Sequence, residues 1–255
     1  MSPATPVSGK HSLFEGGIRV AAFVAGGLIP AHRRGRVDAS LVALWDWYAT
    51  FGALGGLSAE EISDAAAKAA SLPPIDSVDM SGWLLGGPCG NTNCGPPPRT
   101  EIALGSCAND ERDPFCQGVE PGPTVVKGLI AAINGSLYKL LIGSVPLDCT
   151  TGPNFPNGSK LHCPPRECGA VGCLFNLTAD EIEAHDLVPT NLTSLSDLWS
   201  ISHLRGAPGQ LLVELHTRLA KHNSTVFSPD RGEENLARAC DAALHQHSGF
   251  WGPFA

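Results

Sequence analysis

Strands and helices are predicted to share this chain, and three stretches carry that expectation. Ile18, Val20, Ala22 and Val24 alternate with Arg19, Ala21 and Phe23 ahead of Gly26-Gly27, the pattern of a strand buried on most of both faces. Leu41, Leu44, Trp45, Tyr48 and Phe51 recur at helical spacing and mark an apolar helix face. Asn134-Gly135 lies between two apolar runs, residues 129–133 and 136–141, and is the favoured pair for a two-residue type I′ turn.

In chain order, Gly16-Gly17 permits the positive backbone angles of a tight entry into the first strand. Lys10 stands just before it, where a scaffold can present a side chain into a cleft. The basic run His32-Arg33-Arg34-Gly35-Arg36 reads as a solvated loop. Asp38 or Ser40 can cap the helix that follows, which runs to about residue 54 and stops at Gly55-Gly56. Asp46 beside two tryptophans and a tyrosine reads as part of a packed helix rather than a ligand site. Ser58-x-x-Glu61 is a capping box that opens an alanine-rich helix to about residue 70. Residues 72–80 form a proline-stiffened connector, and residues 86–98 a loop of Gly, Pro, Asn and Cys. The hairpin at Asn134-Gly135 follows, with Lys139 expected as a solubilising residue on an edge. Residues 144–173 read as a long loop that disulfides organise. Leu211, Leu212, Leu215 and Leu219 then mark an amphipathic helix.

A net charge of −8 with 16% charged residues argues against nucleic acid as the main partner, because phosphate binding draws on excess Lys and Arg. The 43% apolar fraction is that of a globular protein, and no run of about 18 apolar residues marks a membrane span. Nine cysteines point to disulfides in an oxidising compartment. Cys89, Cys94, Cys107 and Cys116 form one cluster, Cys149, Cys163, Cys168 and Cys173 another, and Cys240 stands alone. Their connectivity stays open, and the odd count leaves a free thiol or a partner elsewhere. The spacing of Cys163, Cys168 and Cys173 lacks the paired Cys-x-x-Cys of a zinc site. Five of the ten asparagines, Asn134, Asn157, Asn176, Asn191 and Asn223, lie in N-x-[ST] and are candidate glycosylation sites. The opening residues M-S-P-A-T-P-V-S hold no apolar segment of a secretory signal. A secreted-looking body with that start is expected to begin inside something larger.

The string G-K-H-S-L-F-E-G-G-I-R-V-A-A-F, which contains Lys10, resembles the lysine-containing segment of the sulfatase family, in particular its arylsulfatase B-like branch. Further segments are similar in the family's order. Asp46-Trp47-Tyr48-Ala49-Thr50 resembles D-W-Y-P-T, with Ala49 in the proline position. Pro74-Ile75-Asp76-Ser77-Val78-Asp79 resembles P-x-D-G-x-D, with Ser77 for glycine, and Pro98-Arg99-Thr100-Glu101-Ile102 resembles S-P-R-T-E-I at the entry to a strand. The pair around Asn134-Gly135 is similar to one in the family's small C-terminal sheet, and Thr151-Gly152-Pro153-Asn154-Phe155-Pro156-Asn157 is similar to a sequence of the same branch. Leu174-Phe175-Asn176 through Asp180 resembles the strand and turn L-F-N-x-x-x-D-P-x-E, with Glu181 for proline. Trp251-Gly252-Pro253-Phe254 resembles a W-G-P-W tail.

The resemblance implies an α/β, alkaline-phosphatase-like sulfatase fold in part. Residues 1–80 would be the end of the large mixed sheet with its helices, and residues 81–255 a small α+β subdomain, an antiparallel sheet with a helix and cysteine-rich loops. It implies sulfuric ester hydrolysis, with a sulfated small molecule or glycan as partner, in a secreted, lysosomal or other secretory-pathway compartment. Lys10 is then the residue that meets the sulfate, and a fixed ammonium there is worth about 3 kcal/mol or more in a water-poor site. The family also uses calcium, and a cysteine converted to formylglycine in C-x-P-x-R, whose hydrated aldehyde is the nucleophile. No C-x-P-x-R occurs here, Cys163-Pro164-Pro165-Arg166 having its arginine one place early, and residues 1–9 hold no match to the metal-binding D-N-G. The chain is therefore expected to be catalytically incomplete. Two other readings stand beside this one: a non-catalytic secreted glycoprotein that binds sulfated glycans, and a phosphatase or phosphodiesterase of the same superfamily, which the W-G-P tail disfavours. His11, His245 and His247 lack a nearby ligand set, and neither G-x-S-x-G nor a phosphate loop occurs. The particular sulfate ester and the oligomeric state are left open.

Overall fold

Asn134 and Gly135 both take positive φ, 50° and 80°, so the hairpin turns in the type I′ geometry that its sequence calls for. It joins β2 (Val125–Ile133) to β3 (Ser136–Val145), with β1 (Glu101–Cys107) and β4 (Arg166–Asn176) outside them. The four strands make one antiparallel sheet in the order β1-β2-β3-β4. The computed structural model describes residues 12–86, 97–107, 125–147, 165–190, 192, 194–200, 208–225, 236–246 and 248–250. Ahead of the sheet come α1 (Glu15–Ile18), α2 (Asp46–Leu54), α3 (Ala59–Ile62), α4 (Ala65–Ala69) and α5 (Ser81–Leu84). After it come α6 (Leu195–Ser200), α7 (Pro208–Thr225) and α8 (Leu236–Gln246). The described chain thus mixes α-helices with one four-stranded antiparallel sheet.

The two faces of the sheet carry two cores, separated by the period-2 alternation of the strands. Leu129, Ala131, Ile133, Leu140 and Leu174 face Leu198 of α6 and Leu212, Leu215 and Leu219 of α7. Each of those α7 leucines, fully buried, contributes about 1.5–3 kcal/mol. On the opposite face, Ile130, Leu141, Cys173 and Phe175 meet Leu13 and Phe14, so the chain around α1 covers the second side. Within β4 the register jumps: Leu141 faces Cys173, but Gly143 faces Gly169 and Ser144 faces Glu167. The extra residues bulge out and are tied by the Cys168–Cys173 disulfide. Gly172 is required at the bend, with φ 97° and room for no Cβ: one would lie 2.6 Å from Leu140 Cδ1 and 2.8 Å from Leu141 O.

Several expectations are corrected. The strand over residues 18–24 does not form: Gly16-Gly17 lie inside α1, Ile18 ends it, and the chain runs on unpaired, with Phe23 93% exposed. Apolar alternation makes a strand only where a neighbour takes up its backbone groups, and no described strand precedes Glu101. Helix α2 starts at Asp46 rather than near residue 40, and it turns Asp46, Ala49 and Thr50 inward. Leu44, Trp45, Tyr48 and Phe51, the expected core face, are exposed, because the buried polar contacts of Asp46 fix the rotation of the helix. The capping box at Ser58 is present, but the alanine-rich helix breaks after Ile62 at Asp64, whose φ is 55°. The region read as a loop over 144–173 holds the first part of β4, while residues 148–164 lie outside the described chain. Lys139 is no edge residue: β3 is an inner strand, and Lys139 is completely buried.

Candidate functional site

Lys10 lies outside the described residues, as do His11, Asn157, Asn191 and His247. What is described is how the chain just after Lys10 is held. The Phe14 N–H donates to Ser12 Oγ at 3.2 Å, and the Phe14 ring meets Phe175 edge-on with centroids 5.9 Å apart. Lys139 Nζ donates to Leu13 O at 3.1 Å and stands 2.7 Å from Glu15 Oε1 and 2.7 Å from Glu183 Oε1. The Glu15 N–H donates to Glu183 Oε2 at 2.5 Å, which supplies α1 with the N-terminal acceptor that Phe14 lacks. All three charged side chains are buried. Burial pushes the Glu183 carboxyl above its ordinary value and the neighbouring Glu15 charge adds to the rise, against the pull of Lys139 and the Glu15 N–H.

Sequence reasoning missed this cluster, although one signal for it is present. Lys139 shares its parity in β3 with Leu137 and Leu141, both on the face that α1 covers. Strand alternation alone points Lys139 inward; its partners, at residues 15 and 183, carry no local mark.

A second polar knot joins the segments at residues 46–50, 74–79 and 98–102. Asp46 accepts from Arg99 Nε at 2.6 Å and also from Arg99 Nη2, a bidentate pair. Its oxygens also take the N–H of Ala43 at 2.7 Å and of Val78 at 2.9 Å. Arg99 donates further to Asp76 O at 2.7 Å and lies over the Trp45 ring. Thr50 Oγ1 donates to Asp46 O and accepts from the Met80 N–H, while Ser77 Oγ donates to Trp45 O and accepts from the Ala49 N–H. Every partner is another part of the chain, so Asp46 belongs to the packing of α2 and not to a ligand site.

The remaining candidates are scattered. Asn134 is exposed at the hairpin tip. Asn176 Oδ1 accepts from the N–H groups of Thr178 and Ala179 at 3.1 and 3.2 Å, and the residue is half-buried. Asn223 is engaged at both ends of its amide, accepting from the Val126 N–H at 2.5 Å and donating to Val126 O at 3.5 Å. In the basic run, Arg33 donates to Leu84 O and Trp83 O, Arg34 to Ile29 O and Arg36 to His32 O. Cys240 is a free, exposed thiol on α8, and Cys168 and Cys173 are spent on their disulfide.

For calcium, the described residues do not fit: no three His, Cys, Asp or Glu side chains among them come together as a metal group. His245 stands 3.4 Å from Asp241 on the exposed side of α8. Among the described residues no helix is long and apolar enough to cross a membrane. Compared with protein-family models and with curated proteins, the chain matches none.

Proposed function

We propose that this protein is a sulfuric ester hydrolase homologue of the arylsulfatase B-like kind, whose ligands are sulfate esters of aryl compounds or sulfated glycans. The observation that carries the reading is the ordered series of family-like segments from Lys10 to Phe254. Three of them, at residues 46–50, 74–79 and 98–102, share the Asp46–Arg99 knot, so their resemblance rests on residues that act together. Lys10 is the sulfate-binding residue in this reading, and Leu13, Glu15 and Lys139 fix the chain that follows it. These 255 residues contain no C-x-P-x-R, which favours binding without turnover over complete catalysis. The disulfide at Cys168–Cys173 and the N-x-[ST] sites support a secretory-pathway compartment.

The test uses the purified 255-residue protein, with a sulfated oligosaccharide and its desulfated counterpart as calorimetric titrants. Binding of the sulfated form alone, weakened about tenfold or more in Lys10→Ala, is expected, since one aligned charge contact is worth about 1.5–3 kcal/mol. Equal binding of both forms, or sulfate-dependent binding indifferent to Lys10, would overturn the reading. A chromogenic aryl sulfate should not be turned over by the same preparation; turnover that Lys10→Ala abolishes would show the chain to be a complete catalyst.

A further inference from the structure

The sheet face opposite α7 is closed by the chain around α1, and the closure passes through one buried charge cluster. Lys139 Nζ donates to Leu13 O and stands at ion-pair distance from Glu15 Oε1 and Glu183 Oε1. Among the described residues neither of these two carboxylate oxygens accepts a hydrogen bond, so the ammonium holds them by charge alone. One ammonium thus serves two acids away from water, leaving an excess negative charge when both are ionised. The surrounding charges do not even this out. Arg19 reaches Glu15 Oε2 at 3.8 Å, is half exposed, and also faces Glu181, itself largely exposed, at 3.5 Å. On the turn that bears Glu183, Asp180 and His185 pair with each other. Phe14 and Phe175 add only apolar surface. Glu183 is therefore the acid with the poorer compensation. Its backbone is also left-handed, φ 58°, a conformation that a residue of this size keeps only when its surroundings hold it there.

We propose that Glu15, Lys139 and Glu183 form a proton-operated latch, closed on the sheet when Glu183 carries a proton and opened when Glu183 ionises. With the proton in place, Lys139 and Glu15 are a neutral pair and Glu183 still accepts the Glu15 N–H. Loss of the proton puts an uncompensated charge in the core. Glu183 regains its hydration by turning out to water, and this relieves its left-handed backbone and withdraws the acceptor from α1. Residues 12–18 then lose the tie from the Glu15 N–H to Glu183 and hang on Lys139 alone, through Leu13 O and Glu15. Burial raises the Glu183 carboxyl above the ordinary 4.5, so the folded, closed state binds the proton more tightly than the open one. The latch is accordingly firm on the acid side and weakens as pH rises from about that value through the raised one. It operates whether or not Lys10 meets a sulfate.

Amide hydrogen exchange of the full chain, corrected for intrinsic rates, tests this at about pH 5 and about pH 7.5. Protection of residues 14–19 should fall about tenfold or more between the two, while that of residues 129–133 in β2 stays level. Glu15→Gln leaves one acid for one ammonium, so its protection should be the same at both values. A wild-type protection that does not change over this range would overturn the latch. So would a fall of equal size in Glu15→Gln. Because the wild-type comparison decides alone, the outcome does not hang on the variant folding.

Discussion

A lysine ammonium moved out of water loses several kcal/mol of hydration, and among the described residues Lys139 recovers it through Leu13 O, Glu15 and Glu183. Removing the cation leaves two acids facing each other in the core. Lys139→Met should therefore lower stability by about 3–5 kcal/mol despite its good apolar fit. Urea denaturation at about pH 5, on the side where the cluster is closed, measures it, and a loss below about 1 kcal/mol would show the cluster to be solvated. The pH dependence has a definite sign. A raised carboxyl favours the protonated fold, so the contribution of Glu183 to unfolding free energy declines as pH climbs above 4.5. Glu183→Ala should remove that decline from a series of urea midpoints. At Arg99 the fork geometry matters as much as the charge. Arg99→Lys keeps a cation beside Asp46 but cannot make the bidentate pair and also reach Asp76 O and Glu101 O. A loss of about 1.5–3 kcal/mol is expected, read from the same denaturation curves.

The elements divide by how local their instructions are. The hairpin was legible because Asn134-Gly135 specifies its turn without outside help, and the Ser58 capping box because its partners are three residues apart. Helix α7 was legible from Leu211, Leu212, Leu215 and Leu219, a face wide enough to bury against any sheet. Residues 18–24 and α2 were misread for one shared reason. Apolar periodicity tells which residues would lie together, but whether they are covered depends on chain distant in sequence. The buried pair of Asp46 with Arg99, 53 residues on, outweighs the apolar stripe of α2. Of the candidate site, Lys10 came from resemblance alone, and the Glu15–Lys139–Glu183 cluster had only strand parity to announce it. The elements also rank the glycosylation sites. Asn134 presents its side chain at an open turn, whereas the Asn223 amide holds α7 against Val126 of β2. Glycopeptide mass spectrometry of protein secreted from a eukaryotic host should find glycan on Asn134 and none on Asn223. Asn223→Ala should cost about 1–3 kcal/mol, since the Val126 N–H loses its acceptor.

Across the whole molecule, apolar surface is distributed unevenly. The sheet is covered on both faces, whereas Val20, Phe23, Leu28, Leu44, Tyr48 and Phe51 are open to solvent. Amide exchange should follow that division, fast over residues 19–45 and slow over residues 126–145, with uniform protection of both overturning the contrast. The sheet's second face has a further property, set by the order in which a ribosome makes the chain. Glu15 leaves the ribosome before its partner Glu183, which is 168 residues behind it. At about 5–20 residues per second, the α1 segment waits roughly 10–30 s after it is made for the residue that holds it. Meanwhile β2 and β3 can pair as soon as both are out, exposing Ile130, Leu141 and the Lys139 ammonium on an uncovered face. A nascent chain stalled before residue 183 should thus hold a formed hairpin beside an undocked α1 segment. That interval is when a chaperone has the most to bind, and it ends only when the turn after β4 leaves the ribosome.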